Sequence, residues 1–381
     1  MYNSGYRVFD YNTSVWSAAI LMLSIMLLSS CAGQDISLEN DDIKHEVEKI
    51  PIAWNLYTAD DSLKINPDTK ALINEYSNLR DACTGLESEP AEKIGLYGYF
   101  VLDGLQESIF ENEDLWWWSK VDGNPFTDAV GEPNNWNYSG ENKYWVDAAD
   151  YSFRAYFPKN RVELQPGSGA DKFIVVYDTQ VSQYDLMVAS KSLKSGEENP
   201  VQLLFRHTLA ALSFDYQFTS DGVSDKLTSC WLENQETNGF YTSSTLNYEE
   251  SITWPKSTSV PVGNRIYYWE PVEPLQIVSG SAAKAYATSA VSAEKGGLYS
   301  GNGGWLLVIP QTTKGPESLK LCFTTNMGGS EVYRVGLPVT SLKPGHRYTF
   351  HIKISSTSVD VKLTIKDWNE RKSSYDIDFN E

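Results

Sequence analysis

The chain has 381 residues and a formal net charge of -19 at pH 7, from 31 Lys and Arg against 50 Asp and Glu. We expect neither nucleic acid nor an anionic membrane surface as a partner, because phosphate binding depends on clustered Lys and Arg. Aromatic residues make up 13% of the chain. Short apolar runs separated by Gly, Ser, Thr and Asn are typical of an all-β protein.

The first predicted element is a bacterial lipoprotein signal peptide over residues 1–30. An apolar run over residues 18–28 ends in Leu28-Ser29-Ser30-Cys31, and it is shorter than the roughly twenty residues of a membrane-spanning helix. Cleavage before Cys31 would leave this cysteine as the lipidated first residue. Several acyl chains, such as palmitate, hold a protein body stably on a membrane. A transmembrane anchor is the alternative reading.

Residues 31–48 follow as an acidic tether. They lack apolar periodicity and therefore have no face to pack. The remaining length suggests two domains, an N-terminal one over residues 49–198 and a C-terminal one over residues 199–381. The boundary is placed in residues 191–200, where Ser, Gly, Glu, Asn and Pro interrupt two strand-rich halves.

Period-two alternation of apolar side chains predicts the strands. A short helix is expected after an N-cap at Asp68, with Leu72, Tyr76, Leu79 and Cys83 at helical spacing. The clearest pattern is an antiparallel hairpin over residues 348–354 and 359–365, joined by a turn at 355–358. Further strands are predicted, in chain order, at residues 96–101, 153–157, 173–177, 212–218 and 306–309.

Chemistry-bearing motifs are scarce. His45-Glu46 begins an HExxH pattern, but Lys49 stands where the second zinc-binding histidine belongs. His346 and His351 are five residues apart on a strand, which places them on opposite faces. His207 lies in a strand-like run, where a hydrogen-bonded core histidine is favoured over a catalytic one. We expect no enzymatic activity, no metal site and no cofactor.

A tryptophan-rich segment raises a second possible function. Trp116, Trp117 and Trp118, with Trp136 and Trp145 in a segment rich in Gly, Asn and Pro, offer flat apolar rings that can stack on sugars. Packing around a long loop and a protein contact are the alternatives. Two or more exposed, coplanar indoles would favour glycan binding.

The cysteines after Cys31 are Cys83, Cys230 and Cys322. They are odd in number and lack CxxC spacing, so free buried thiols are expected. A single disulfide between Cys230 and Cys322 remains open at this point.

Four segments together resemble the fimbrillin-like proteins of Bacteroidales. The first is Tyr144-Trp145 followed by YSFRAYFP at residues 151–158, and the second is VQLLFRHTLAALSF at residues 201–214. The third is LVIPQ at residues 307–311. The fourth is PGHRYTF at residues 344–350 with IKDW at residues 365–368. The resemblance implies two tandem transthyretin-like β-sandwich domains behind the signal peptide and tether. It also implies a type V pilus subunit or a related surface lipoprotein, lipid-anchored in the cell outer membrane.

The resemblance further implies assembly by strand exchange, in which a protease removes an N-terminal strand and a neighbouring subunit donates one. The alternating segment Tyr375, Ile377 and Phe379 is a candidate donor, or else an ordinary last strand of its own domain. Arg80 is the first arginine after Cys31. It is a candidate processing site, or else the precursor is never cut. The expected partners are other fimbrial subunits, the outer membrane through the lipid, and a host protein or glycan. Stalk, tip, anchor and non-polymerising roles remain open.

Overall fold

The described part of the chain is built almost entirely from β-strands, which confirms the all-β prediction. The structure is a computed structural model. It describes residues 49–58, 79–85, 92–118, 129–130, 135–139, 141–218, 225–237, 239–269, 275–277, 284–285, 306–325, 331–354 and 359–367. The predicted signal peptide, the tether and the beginning of the predicted helix lie outside these residues.

The strands of the N-terminal half are β1 (Trp54–Thr58), β2 (Thr84–Gly85), β3 (Ile94–Leu102), β4 (Leu105–Trp118), β5 (Ala129–Val130), β6 (Asn135–Ser139), β7 (Asp150–Phe157), β8 (Phe173–Asp178), β9 (Met187–Lys194) and β10 (Val201–His207). The helical elements are α1 (Leu79–Ala82) and a 3-10 turn (Lys159–Arg161).

The strands of the C-terminal half are β11 (Ala210–Phe218), β12 (Asp225–Asn234), β13 (Ser243–Tyr248), β14 (Ile252–Thr253), β15 (Arg265–Trp269), β16 (Leu275–Ile277), β17 (Lys284–Ala285), β18 (Leu306–Val308), β19 (Gln311–Thr312), β20 (Leu319–Thr325), β21 (Tyr333–Gly336), β22 (Ser341–Leu342), β23 (His346–Ile354) and β24 (Val359–Asp367).

The first sheet has nine strands in the order β1-β10-β9-β7-β3-β4-β6-β5, with β2 paired to β4. The pair β1 and β10 is parallel, whereas β10, β9, β7, β3, β4 and β6 pair antiparallel in turn. Strand β7 illustrates why these segments are strands: Tyr151, Phe153, Ala155 and Phe157 alternate inward and are at most 2% exposed.

The first sheet closes on itself through the residues that precede β1. Pro51 forms an antiparallel bridge with Tyr144. The Ile52 N–H donates to the Lys143 carbonyl at 2.9 Å, and the Trp145 N–H donates to the Ile50 carbonyl at 3.0 Å. Residues 143–145 follow β6, which β1 also contacts. The nine-stranded sheet therefore curves so that its first strand approaches β6, and its buried side chains share one apolar core.

The second core lies between two five-stranded sheets. One has the order β17-β11-β23-β24 with β18 on β11, and the other has the order β15-β12-β20-β21 with β16 on β12. Buried side chains from both sheets form the core, including Phe214, Trp231, Leu321 and Phe350. Two facing sheets around one core are the arrangement of a β-sandwich.

The predicted C-terminal hairpin is confirmed as β23 and β24, in a register that pairs Tyr348 with Ile365 and Ile354 with Val359. The inward side chains of β23 are at most 3% exposed. Those of β24 are only half-buried, and Ile365 is 52% exposed. The difference arises because β24 is the edge strand of its sheet.

A third core joins the two halves. Strand β8 from the N-terminal half pairs with β13 from the C-terminal half over six residues, and buried side chains from both halves pack together there. All described residues belong to one compact unit, Lys49–Glu381. The halves are therefore linked by a shared sheet as well as by the chain.

The segment expected to separate the domains has a different place in the fold. Residues 195–200 connect β9 to β10, and these two strands pair with each other within the first sheet. The expected boundary between residues 198 and 199 thus lies before a strand that still belongs to the N-terminal sheet. The chain enters the next sheet only at β11, because Ala211 onward pairs with β23.

His207 lies at this crossing and is the hydrogen-bonded core histidine that the sequence predicts. Its Nδ1 lies 2.8 Å from Asp185 Oδ2, and the side chains are 1% and 0% exposed. The next residue, Thr208, donates its hydroxyl to the Leu186 carbonyl at 2.8 Å. These contacts fix the point at which the chain leaves the first sheet.

Cys83, Cys230 and Cys322 are buried and form no disulfide bond with one another. On the adjacent strands β12 and β20, Cys230 lies opposite Phe323 and Cys322 lies opposite Trp231. Because neighbouring positions on a strand point to opposite faces, the two thiols lie on different sides of the sheet. The alternative of a disulfide between Cys230 and Cys322 is therefore wrong.

Candidate functional site

The strongest candidate site is the space that the first strand fills, which we call the strand slot. It is bounded on one side by β10 and on the other by residues 143–145, and residues 50–58 occupy it. Ile52, Trp54 and Leu56 point inward and are 3%, 1% and 4% exposed. This alternation is what a strand requires to complete both a sheet and a core.

Trp54 is the largest side chain in the slot and contacts two phenylalanines edge to face. The ring centroids lie 5.5 Å from Phe110 and 5.0 Å from Phe153, at interplanar angles of 72° and 84°. Gly98 makes room for this arrangement, because a Cβ there would lie 2.7 Å from Phe153 and 3.0 Å from Phe110. The occupant of the slot thus completes an aromatic core.

Two tyrosine hydroxyls position the far wall of the slot. Tyr138 accepts the N–H of Lys143, and Tyr151 accepts the N–H of Val146, each at 2.7 Å. Burial raises the pKa of both hydroxyls, although the bonds from the main chain act the other way. Trp145 packs at 4.7 Å on Tyr151. The wall is therefore held by side chains of β6 and β7.

The near wall carries two side-chain contacts to the occupant. The Asn199 amide bonds to the main chain: the Ala53 N–H donates to Oδ1 at 2.9 Å, and Nδ2 donates to the Pro51 carbonyl at 3.2 Å. Two residues further along the occupant, Asn55 Nδ2 donates to Gln202 Oε1 at 2.5 Å. Sequence reasoning missed Asn199. Its only signal, an Asn-Pro pair before an alternating strand, indicates a turn and not a contact with a distant strand.

Arg80, the candidate processing residue, lies in the helix α1. Its neighbours Leu79 and Cys83 are fully buried, whereas its own side chain is 56% exposed and lies 5.3 Å from the Trp117 ring. The Arg80 carbonyl accepts the Cys83 N–H at 3.1 Å and the Thr84 hydroxyl at 2.8 Å. The peptide bond after Arg80 is thus part of a helical turn tied to the core.

The candidate contact tryptophans occupy different environments. Trp116 and Trp136 are buried, at 7% and 5% exposure. Trp117 is half-buried and meets Trp136 at an interplanar angle of 80°. Perpendicular, mostly covered rings do not form a flat platform for a sugar. The Trp118 side chain lies outside the described residues, as do Cys31 and the candidate donor residues Tyr375, Ile377 and Phe379.

A charged cluster lies at the end of β3 and β4. Asp114 accepts Lys93 Nζ at 2.8 Å and also bonds to Lys159. Burial raises the pKa of Asp114, but the bonds and charges of the two lysines outweigh burial and hold the pKa below its usual value. Nearby, Arg161 bonds to the buried Glu92 at 2.5 Å. These groups form a structural ion-pair network rather than a substrate site.

In the part of the chain that the structure describes, no three His, Cys, Asp or Glu side chains converge as a metal site would require. None of the helices in the described ranges has the length and hydrophobicity needed to cross a bilayer.

Comparison with known proteins agrees with the resemblance seen in the sequence. A model of the fimbrillin-like family matches residues 88–368. No curated protein matches the sequence. Similar solved structures include a fimbrial protein from Bacteroides vulgatus, 13% identical, with a TM-score of 0.49, covering 84% of this chain and 99% of that chain.

Two candidate cell adhesion proteins are also similar. One, from Bacteroides uniformis, is 18% identical with a TM-score of 0.43, covering 84% of this chain and 98% of that chain. The other, from Bacteroides ovatus, is 14% identical with a TM-score of 0.48 and the same coverage. The family assignment rests on the family match and not on these partial structural likenesses.

Proposed function

The chain belongs to the fimbrillin-like family, and from this premise we propose that it is a surface-anchored fimbrial subunit or fimbrillin-like adhesin. Membership supports a non-enzymatic role in a cell-surface appendage and association with other fimbrial subunits. The proposal adds that Cys31 carries the lipid that anchors the protein in the outer membrane, and that subunits join by strand donation and mediate attachment.

The strand slot is the observation that supports strand donation. Residues 50–58 are far in sequence from β10, with which they pair. They contribute three buried apolar side chains to the core of the first sheet. Without them, β10 and residues 143–145 would expose unpaired main-chain groups beside an open apolar groove. A strand with alternating apolar side chains satisfies both needs.

The donor in this proposal is the segment with Tyr375, Ile377 and Phe379 of a second copy. Its three large apolar residues alternate with two acidic ones, which matches the in-and-out pattern of Ile52, Trp54 and Leu56. The rival is that this segment is an ordinary last strand of its own domain.

For activation we favour an uncut, lipid-tethered subunit over cleavage at Arg80. Proteases need an extended, exposed segment, whereas Arg80 lies in a helical turn between buried residues. An uncut subunit keeps its own first strand in the slot and therefore accepts no donor there, which suits an anchoring or assembly-ending role. Glycan binding remains the second candidate function, but the half-buried Trp117 and the buried Trp136, whose rings are nearly perpendicular, do not favour it.

Mass spectrometry of protein isolated from the cell surface tests anchoring and activation together. We expect a lipidated Cys31 at the N-terminus of all the material. A start at Asp81 would instead establish cleavage after Arg80. Electron microscopy of purified, protease-treated protein tests assembly, and filaments would show that this subunit polymerises with itself.

A further inference from the structure

The main-chain ladder between the first strand and β10 has a gap that a side chain fills. The ladder begins where the Val201 N–H donates to the Ala53 carbonyl at 2.8 Å. The residue before Val201 is Pro200, which has no N–H. The occupant therefore cannot continue its pairing along the main chain of β10 beyond this point, although its Pro51 carbonyl and Ala53 N–H still face that side.

Asn199 supplies both missing partners. Its Oδ1 accepts the Ala53 N–H at 2.9 Å, and its Nδ2 donates to the Pro51 carbonyl at 3.2 Å. The segment that carries Asn199 is itself tied down, because Glu198 pairs with Lys191 at 2.6 Å and the Ser195 N–H donates to the Ala149 carbonyl at 2.9 Å. The side-chain amide of Asn199 thus supplies the hydrogen bonds that the main chain of β10 would otherwise make.

We propose that Asn199 is a latch that controls how readily a strand leaves or enters the slot. It acts where the occupant changes partners: residues 50–52 pair with residues 143–145 on one edge, and residues 53–58 pair with β10 on the other. A strand peeled from its first residues breaks the Asn199 bonds before it breaks the β10 ladder.

The latch contacts only main-chain groups of the occupant. It therefore accepts any extended strand that pairs in the correct register. The neighbouring pair of Asn55 and Gln202 differs, because it depends on a particular side chain of the resident strand. The latch would also hold a second occupant, residues 375–379 donated by another copy of the chain. This part of the inference rests on the proposed function.

Hydrogen exchange in the intact chain tests the latch on the resident strand. In Asn199→Ala, we expect the Ala53 amide to exchange at least about tenfold faster, while amides in β3 and β7 keep their protection. Asn199→Asp retains an acceptor for the Ala53 N–H and should restore much of its protection. Asn55→Ala is the matched control, because it removes an amide-to-amide bond without touching the main chain. Equal exchange at Ala53 in wild type and Asn199→Ala would overturn the latch.

The rate at which the first strand dissociates tests the effect of the latch on strand exchange between subunits. A protease site engineered within residues 59–78 allows the chain to be nicked after folding, so that a labelled first strand can dissociate. Two hydrogen bonds of ordinary net strength predict about five- to hundredfold faster release in Asn199→Ala. Release at the wild-type rate would also overturn the latch.

A synthetic peptide of residues 373–381 separates this inference from the proposed function. If the peptide does not enter either nicked chain while Asn199→Ala still speeds release, the latch stands and donation by this segment fails. If the peptide enters both chains at equal rates and exchange at Ala53 is also equal, donation stands and the latch fails.

Discussion

Two of the three cores, one in each half of the chain, are closed in different ways. The N-terminal sheet is completed by β1, a strand separated in sequence from its partner β10 by more than a hundred residues. The C-terminal sandwich ends in a hairpin of neighbouring strands, and its last described strand, β24, leaves a half-exposed apolar row. The comparison teaches that removing one strand should open the first core, whereas the second core already tolerates an open edge.

The largest expected effect is at the center of the strand slot. Trp54→Ala removes a fully buried indole from between Phe110 and Phe153 and should lower the free energy of unfolding by about 3–5 kcal/mol. The control on the open edge is Ile365→Ala, which should change it by less than about 0.5 kcal/mol. Urea denaturation measures both. Equal losses at the two sites would remove the distinction between a closed and an open core.

The next effect lies at the junction between the cores. Asp185→Ala leaves the buried His207 Nδ1 without its carboxylate and should destabilise the fold by about 1–3 kcal/mol. Asp360→Ala on the exposed face of β24 is the matched control and should have little effect. If the two variants unfold at the same temperature, the contact between Asp185 and His207 does not stabilise the junction between the cores.

The contrast between these regions also shows what sequence could predict. The alternation of Phe350 and Ile352 predicts β23 correctly, because its partner β24 follows directly in the chain. The half-exposure of Ile365 could not be predicted, because it depends on which strand stands at the edge of the sheet. The expected domain boundary differs from the sheet pairing for a related reason: Ser, Gly and Pro mark a turn equally well inside a sheet and between domains.

In the candidate site, the alternation of Ile52, Trp54 and Leu56 is compatible with a strand but does not indicate which strand it pairs with. Its parallel pairing with β10 and its contact with Asn199 are long-range, and no local pattern encodes them. His207 was predictable as a core residue, but its partner Asp185 lies on another segment and needed the fold. The environment of Arg80 likewise depends on the burial of Leu79 and Cys83, which only the fold reveals.

A smaller effect is expected from the ion pairs beside the N-terminal core. Asp114→Asn removes the negative charge shared by Lys93 and Lys159 and should cost about 1 kcal/mol at neutral pH. Because the pKa of Asp114 is lowered in the folded protein, its contribution is complete above the unfolded pKa of about 3.9 and is lost as pH falls through the folded value. The stabilities of wild type and variant, measured by urea unfolding, should therefore begin to converge as the pH falls below about 4 and coincide below the folded pKa of Asp114. A constant difference down to pH 2 would contradict the assignment.

The smallest effect concerns thiol reactivity and compares the two cores directly. Burial raises the pKa of Cys83 well above its usual value, and it raises the pKa of Cys322, beside Glu233, to about 12. In a Cys31→Ala background, iodoacetamide should leave the native protein unmodified at neutral pH. With increasing urea, Cys322 in the open sandwich should react before Cys83 in the closed core. Peptide mass spectrometry identifies which cysteine is modified first. Modification of Cys83 before Cys322 would show that the N-terminal core unfolds first.

The parallel pairing of β1 with β10 has a mechanical consequence. A force applied at Lys49 and resisted beyond His207 pulls the two strands in opposite directions along their length. Such a load falls on the whole ladder from Trp54 to Thr58 at once, in shear, and not on one bond after another. The first strand should thus resist tension along the chain more strongly than peeling from its outer end, where its bonds break one after another.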